Sequence, residues 1–304
     1  MERGITSTYE ERFIDANHVR LHVILSGPQD GEPVILLHGF PEFWYGWRHQ
    51  IDPLAARGYR VIVPDQRGYN ASDKPRGIKH YHIDELTADV IGLIDHLEYE
   101  QVVIAGHDWG GVVTWQLIAD YSKRFRKAII LNAPHLNALK RAIMHNPFQI
   151  MKSWYIYVIQ VPYLAEILFR PFARWAMGTS NIGSFSSKDM ARYEKAWALP
   201  GAITCSFNWY RSAFREFLRD VSRAIIKMKS PRALFKTSSI TVPTLILWGV
   251  RDVALTKQLA YDSAAACTDV KIRLFEDASH WLQHDKPHEV TKAILNFLTA
   301  YDEG

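Results

Sequence analysis

Short apolar segments recur along the chain and predict the strands of a buried sheet. A continuous apolar run of this length, with no polar alternation, is typical of a strand covered on both faces. His18–Leu25 differs because its apolar residues alternate weakly, which predicts an early antiparallel strand. The predicted buried strands are Pro33–Leu37, Arg60–Val63, Gln101–Ala105, Lys127–Leu131, Thr244–Trp248 and Val270–Leu274.

Helical periodicity separates most of these strands. In the segment 82–97, Ile83, Leu86, Val90 and Ile94 fall on one face of a helix. Strands that alternate with helices predict parallel βαβ units, and so an α/β fold with a mostly parallel central sheet flanked by helices. The predicted helices are Gly46–Arg57, His82–Leu97, Gly110–Tyr121, Thr256–Ala266 and Pro287–Ala300.

The alternation stops in the middle of the chain. Residues 135–237 contain no buried-strand run, are rich in aromatic residues and are punctuated by prolines. We therefore predict a core formed by residues 1–134 and 238–304, with a helical cap inserted at 135–237. Within the insert, Arg219–Lys236 is basic but interspersed with apolar residues, which indicates an amphipathic cap helix and linker.

Composition excludes several classes of protein. The 304 residues are 48% hydrophobic and 22% charged with a net charge of +4. Basic residues do not cluster as they do in nucleic-acid-binding proteins. Cys205 and Cys267 are too few for a disulfide framework. The N-terminal region lacks the apolar stretch of a signal peptide, and no segment is long and apolar enough to span a bilayer. These features predict a soluble, cytoplasmic protein without indicating membrane association.

A reactive aspartate is predicted at the turn after the third parallel strand. Asp108 lies in Gly106-His-Asp-Trp-Gly-Gly111, where small residues allow a strand and a helix to meet at a strained turn. A carboxylate nucleophile suits displacement at an sp3 carbon, because the ester formed can later be hydrolysed, whereas attack on a carbonyl would give a mixed anhydride. The alternative is that Asp108 only caps the following helix.

Two further residues complete a candidate triad. His280 follows the last strand, where a water-activating histidine is expected in chain order. Asp252, after the strand Thr244–Trp248, is the predicted acid that orients His280, with Asp277 as its rival. Asn132 ends another strand, but it is neutral and cannot fully replace an acid.

The turn after Pro33–Leu37 is a candidate oxyanion and substrate-binding site. It comprises His38, Gly39, Phe40 and Pro41. The backbone N–H groups of Phe40 and Trp109 are predicted to converge on the carboxyl oxygen of an ester on Asp108. A tight turn fixed by Gly and Pro is compatible with this role.

Together these motifs resemble the α/β-hydrolase-fold epoxide hydrolases over nearly the whole chain. The resemblance implies an α/β-hydrolase fold with a cap, and two cap tyrosines that hydrogen-bond the epoxide oxygen. Tyr210 matches the family position, and Tyr155 matches by its distance from Pro162, with Tyr157 as an alternative. The matching segments are His38–Glu42 with Trp44, Trp47 and Arg48, then Asp65–Tyr69, Ser72–Pro75, Gly106–Gly111, Asn208–Arg211, Trp248–Gly249 with Asp252, and Ser279–Trp281.

The expected activity is hydrolysis of epoxides to vicinal diols without a cofactor or metal. The cap aromatics Phe148, Trp154, Phe169, Trp175 and Trp197 suggest an apolar pocket for a small lipophilic epoxide. No nucleic-acid partner is expected, and a homodimer is left open.

Two kinds of dehalogenase are alternative functions that would use the same aspartate. A haloalkane-type dehalogenase would typically carry Asn in place of Phe40, and a fluoroacetate dehalogenase Arg in place of Trp109. A catalytically silent small-molecule-binding member of the fold would be expected to lack a triad residue.

Overall fold

The computed structural model describes residues 9–226 and 239–300 of the chain. Eight strands form one sheet in the order β1-β2-β4-β3-β5-β6-β7-β8. β2 pairs antiparallel with β1 and β4, and every other pair is parallel. The strands are β1 Glu10–Ala16, β2 Val19–Ser26, β3 Pro33–Leu37, β4 Arg60–Pro64, β5 Val102–His107, β6 Phe125–Leu131, β7 Thr244–Gly249 and β8 Val270–Phe275.

Helices cover both faces of this sheet and fill the interval between β6 and β7. Short 3₁₀ turns lie at Trp44–Trp47, Ile78–Tyr81 and Ser122–Arg124. The α-helices are α1 Arg48–Ala55, α2 Ile83–His96, α3 Trp109–Asp120, α4 Leu136–His145, α5 Pro147–Lys152, α6 Trp154–Ile159, α7 Leu164–Met177, α8 Ser187–Trp197, α9 Ala202–Ile226, α10 Gln258–Ala264, α11 Leu282–Asp285 and α12 Pro287–Thr299.

The predicted α/β class is confirmed. Each predicted strand and core helix is present with shifts of a few residues at its ends, and the predicted antiparallel strand is β2. β1 and the short α11 were not predicted. β1 is an edge strand whose first four residues are largely exposed, so it lacks the apolar run that marks the central strands.

Alternate residues of the parallel strands face two apolar layers. In β3, Val34 and Leu36 pack with helices α1 and α12, whereas Ile35 and Leu37 pack with α2 and α3. This period of two on fully buried strands explains why the segments are apolar on both faces.

The six helices α4–α9 occupy the predicted insert. Phe169 from α7 and Phe207 from α9 are buried in the same apolar cluster as Leu37 of the sheet. These helices therefore pack onto the carboxyl ends of the strands. The predicted boundary at 237, the second part of the predicted segment Arg219–Lys236 and residues 1–8 lie outside the described residues.

Parallel strands bring the candidate residues to one edge of the sheet. β3 leads into His38–Pro41, β5 into Asp108, β6 into Asn132, β7 into the loop of Asp252 and β8 into the loop of His280. The carboxyl ends of parallel strands share an edge, so residues far apart in sequence meet beneath α4–α9.

Candidate active site

Asp108 lies on a sharp turn between β5 and α3. Its backbone has φ 50° and ψ -120°, and the positive φ is a strained conformation for a non-glycine residue. A Cβ on Gly110 would lie 2.2 Å from the carbonyl oxygen of Leu37, and one on Gly39 would lie 2.4 Å from the Cβ of Asp108. Only glycine fits these two positions, so the small residues of the motif allow the turn to form.

The side chain of Asp108 points into the site instead of capping α3. It makes no capping hydrogen bond to that helix. Its Oδ1 accepts a hydrogen bond of 2.7 Å from the backbone N–H of Phe40. Its Oδ2 lies 3.6 Å from Nε2 of His280, too far for a hydrogen bond, so one carboxylate oxygen is held and the other faces the histidine.

Asp252, and not Asp277, contacts His280. Nδ1 of His280 lies 2.7 Å from Oδ2 of Asp252. Oδ1 of Asp252 accepts hydrogen bonds from the backbone N–H groups of Ala254 and Leu255, at 2.7 and 2.9 Å. Asp277 is instead on the surface, where its carboxylate pairs with Lys286.

Electrostatic interactions within the site shift the pKa values of Asp252 and His280. Burial opposes ionisation of Asp252, but the positive charge of His280 and the hydrogen bonds from His280 and Asn132 outweigh it and lower the pKa of Asp252. Burial likewise disfavours the charged form of His280, but the carboxylates of Asp252 and Asp108 raise the pKa of His280 to about 10. While Asp108 is ionised, His280 is therefore an imidazolium at neutral pH.

Tyr155 and Tyr210 meet above Asp108. Their ring centroids are 5.9 Å apart with an interplanar angle of 82°. Burial, followed by the negative charge of Asp108, raises the pKa of both phenols above their ordinary value, so both hydroxyls remain protonated. The alternative residue, Tyr157, packs edge-on against Phe214 and is 45% exposed.

The cavity over Asp108 has two lobes. The larger has a volume of about 1010 Å³ including its opening to solvent, and the smaller about 550 Å³. Asp108, Tyr155 and Tyr210 line both lobes, so they lie where the lobes meet. The larger lobe has a mainly apolar lining, which includes Val112, Leu136, Leu139, Ile143, Ile156, Phe214, Phe217 and Leu255.

Known proteins with this architecture identify the family. A family model described as alpha/beta hydrolase fold matches residues 32–287. The AB hydrolase superfamily protein YfhM of Bacillus subtilis is 41% identical, over 94% of this chain and 97% of that protein. Epoxide hydrolase 1 of Caenorhabditis elegans is 33% identical, over 98% of this chain and 72% of that protein. The chain belongs to the epoxide hydrolase family of α/β hydrolases.

A solved structure agrees with this assignment. The crystal structure of Bacillus megaterium epoxide hydrolase in complex with an inhibitor superposes with a TM-score of 0.81 at 27% identity. The match covers 94% of this chain and 99% of that one, so the likeness extends over nearly the whole of both chains.

Three more residues were predicted to bind the substrate of this epoxide hydrolase family member, and not all of them line the cavity. Pro41 lines the smaller lobe and Trp109 lines the larger one. The ring centroid of Trp109 lies 5.0 Å from that of Tyr210. In the part of the chain that the structure describes, Asp108 receives its backbone hydrogen bond from Phe40 and none from Trp109. His38 lines neither lobe, since it is fully buried and bonded to Gly39 and Gln66. His38 therefore supports the turn and does not face the cavity.

Two residues near the triad were not assigned a role from sequence. Asn132 donates a hydrogen bond of 2.8 Å to Oδ2 of Asp252 and accepts one of 2.8 Å from the Gly249 N–H, which links β6 to β7. Lys152 of α5 donates to the backbone carbonyl of Asp252 at 2.6 Å. The position of Asn132 at a strand end was a usable signal, whereas nothing in the sequence links Lys152 to Asp252.

A buried carboxylate anchors the loop of His280 from behind. Glu42 accepts hydrogen bonds from Tyr193 and His284, each at 2.7 Å, and lies 3.2 Å from Nδ1 of His107. Nε2 of His107 in turn lies 2.9 Å from the carbonyl oxygen of His280. Burial opposes ionisation of Glu42, but the neighbouring histidines hold its pKa well below the usual value. The network joins the turn that follows β3, the turn at Asp108 and the loop of His280.

Proposed function

We propose that this protein hydrolyses lipophilic epoxides to vicinal diols through a covalent ester on Asp108. The observation that supports this proposal is the arrangement of the Asp108 carboxylate, which lines the cavity with Tyr155 and Tyr210 and faces His280, itself bonded to Asp252. Helices α4–α9 serve as the cap, which supplies both tyrosines and most of the apolar lining.

In the first half-reaction, Oδ2 of Asp108 attacks an epoxide carbon and the carbon–oxygen bond of the ring breaks. The departing oxygen receives the electron pair and takes a proton from the tyrosine pair, which lowers the barrier because the negative charge is neutralised as it forms. The tyrosine regains its proton from the His280 imidazolium. Oδ1 keeps its hydrogen bond to Phe40 and becomes the carbonyl oxygen of the ester.

In the second half-reaction, water attacks the carbonyl carbon of that ester. Alkylation has removed the negative charge of Asp108, so the pKa of His280 falls and neutral Nε2 can accept a proton from water. Asp252 stabilises the imidazolium that forms, and the Phe40 N–H stabilises the oxyanion. When the ester carbon–oxygen bond breaks, His280 returns the proton to the departing diol oxygen. The carboxylic acid left on Asp108 then gives its proton to His280, which restores the carboxylate and the imidazolium.

The His280→Gln variant separates the two half-reactions. Incubated with styrene oxide, this variant is expected to accumulate enzyme heavier by the mass of the epoxide, because the ester forms but no base activates water. The modified peptide should contain Asp108. The variant His96→Gln, at an exposed histidine of α2, is the matched control and should form diol at the wild-type rate without accumulating ester. A His280→Gln enzyme that turns over normally would remove His280 from the mechanism.

A further inference from the structure

The helices α4–α7 and their connections, residues 136–177, present an exposed apolar surface that we call the outer cap face. Twelve of the twenty large hydrophobic side chains exposed among the described residues belong to this segment. They include Phe148 at 71%, Tyr163 at 83% and Ile167 at 74% exposure. Contiguous exposed apolar surface on a folded protein marks an interaction site.

Helix α7 shows that this exposure follows one face. Leu164, Leu168, Pro171 and Trp175 are spaced by four, three and four residues, so they lie along one side of the helix, and each is exposed. The opposite side is buried through Ala165, Phe169, Ala173 and Met177. The helix therefore has one apolar side in the protein and a second apolar side at the surface.

The aromatic residues of α6 and α7 extend this surface to the cavity. Trp154 and Trp175 are 47% and 53% exposed, and both contact Phe172. The same three residues line the smaller lobe, together with Asp108 and His280. The apolar surface is therefore continuous with the opening that leads to the nucleophile.

Positive charge accompanies the apolar residues. The segment 136–177 contains five Lys and Arg residues and a single acid, Glu166, a net charge of +4 that equals that of the whole chain. Glu166 is paired with Arg211 of α9, so it does not offset the exposed cations. Two of the five cations, Lys140 and Arg174, are paired with Asp220 and Glu194, whereas Arg170 is exposed on α7.

We propose that the outer cap face binds to the surface of an anionic lipid bilayer. Tryptophan, tyrosine and aliphatic side chains next to basic residues are the composition of helices that lie in the lipid interface. Basic residues near an anionic leaflet add electrostatic attraction. None of the helices within residues 9–226 and 239–300 is long and apolar enough to cross a bilayer, so the contact is with its surface.

The position of the opening gives this contact a function. A lipophilic epoxide dissolved in the bilayer would enter the smaller lobe, which Trp154 and Trp175 line, without crossing water. This delivery rests on the proposed hydrolase function, whereas binding to the bilayer does not. A second copy of the chain is a less suitable partner, because it would present the same excess of basic over acidic residues, whereas an anionic bilayer offers the opposite charge.

Sedimentation with vesicles tests the binding without any substrate. The protein should pellet with vesicles of phosphatidylcholine mixed with phosphatidylglycerol, less with phosphatidylcholine alone, and less as salt screens the charges. The Tyr163→Ser/Ile167→Ser variant should bind the mixed vesicles roughly tenfold more weakly. The Phe13→Ser/Tyr261→Ser variant removes two side chains, each 46% exposed, from outside the face and should bind like wild type.

Two further measurements distinguish the alternatives. Hydrolysis of water-soluble styrene oxide should be equal in both double variants, while hydrolysis of a long-chain epoxide embedded in the mixed vesicles should fall in the Tyr163→Ser/Ile167→Ser variant alone. Absence of vesicle binding, or equal binding by both variants, overturns the proposal even if styrene oxide is hydrolysed. A dimer in sedimentation velocity that only the face variant disrupts, without vesicle binding, would assign the face to a second copy.

Discussion

Replacing Asp252 by asparagine tests how the acid controls His280. Four hydrogen-bond donors surround this carboxylate, with the N–H groups of Ala254 and Leu255 at Oδ1 and those of His280 and Asn132 at Oδ2. The amide of asparagine has one acceptor oxygen and one NH₂ group in place of the two carboxylate oxygens. The backbone N–H groups of Ala254 and Leu255 can only donate, so the amide oxygen should face them. His280 can change tautomer and accept a hydrogen bond, so we expect the new NH₂ group to face His280.

This orientation places the imidazole hydrogen on the wrong nitrogen. Nδ1 of His280 must then accept from the amide, the hydrogen moves to Nε2, and Nε2 can no longer accept a proton from water. General base catalysis contributes about 10²- to 10⁴-fold, so ester hydrolysis in Asp252→Asn should slow by about that factor. One N–H of buried Asn132 also loses its acceptor, which should lower the free energy of unfolding by roughly 1–3 kcal/mol.

Rapid-quench single turnovers with styrene oxide measure ester formation and diol release separately. Ester formation depends on Asp108 and the tyrosines, and it should slow far less than diol release in the Asp252→Asn enzyme. Asp277→Asn removes an exposed carboxylate in a loop next to His280 and should leave both rates unchanged. Equal slowing of both steps, or normal diol release, would refute the assignment of Asp252.

Other consequences concern the tyrosines and pH. Tyr155→Phe and Tyr210→Phe should each slow ester formation by about 10²- to 10³-fold in the same single-turnover assay, whereas Tyr157→Phe, as the control, should have little effect. Diol release from the ester should rise with pH through the pKa of His280 in the intermediate, which lies below its value of about 10 in the free enzyme because alkylation neutralises Asp108. Ester formation should not fall between about pH 6 and about 9, because the pKa values of both tyrosines are raised; a fall over that range would contradict their assignment as proton donors.

Much of the fold follows from local sequence. The central strands are apolar on both faces because helices cover both sides of the sheet, so each appears in the sequence as an uninterrupted run. The turn at Asp108 is also local, since the small residues that permit it are its near neighbours. β1 was missed because it is an edge strand whose exposed Glu11 and Arg12 hide its pairing.

The aromatic residues that line the pocket were predicted less accurately than the strands. Phe148 was expected to line the pocket, but it is exposed on α5, and Phe169 and Trp197 pack in the protein interior and line neither lobe. An amphipathic pattern identifies an apolar side but not the surface that covers it, and α7 is apolar on two sides. Trp154 and Trp175 do line the smaller lobe, as expected for the predicted apolar pocket.

The support behind the triad could not be predicted either. Glu42 and His284 are separated by 242 positions, and their contact depends on how β3 and the loop before α11 are placed by the sheet. No spacing in the sequence encodes such a contact. His38 was assigned to the cavity because it belongs to the same turn as Phe40, yet the turn directs its side chain into the core.

A single turnover in oxygen-18 water shows whether the new oxygen of the diol comes from Asp108 or from water. Excess enzyme is mixed with styrene oxide, the diol is analysed by mass spectrometry, and Asp108→Ala is the control. The ester mechanism predicts an unlabelled diol, since its new oxygen comes from Asp108, with the label retained on that carboxylate and no diol from the control. A diol that carries oxygen-18 after one turnover would mean direct attack by water and would contradict the ester mechanism.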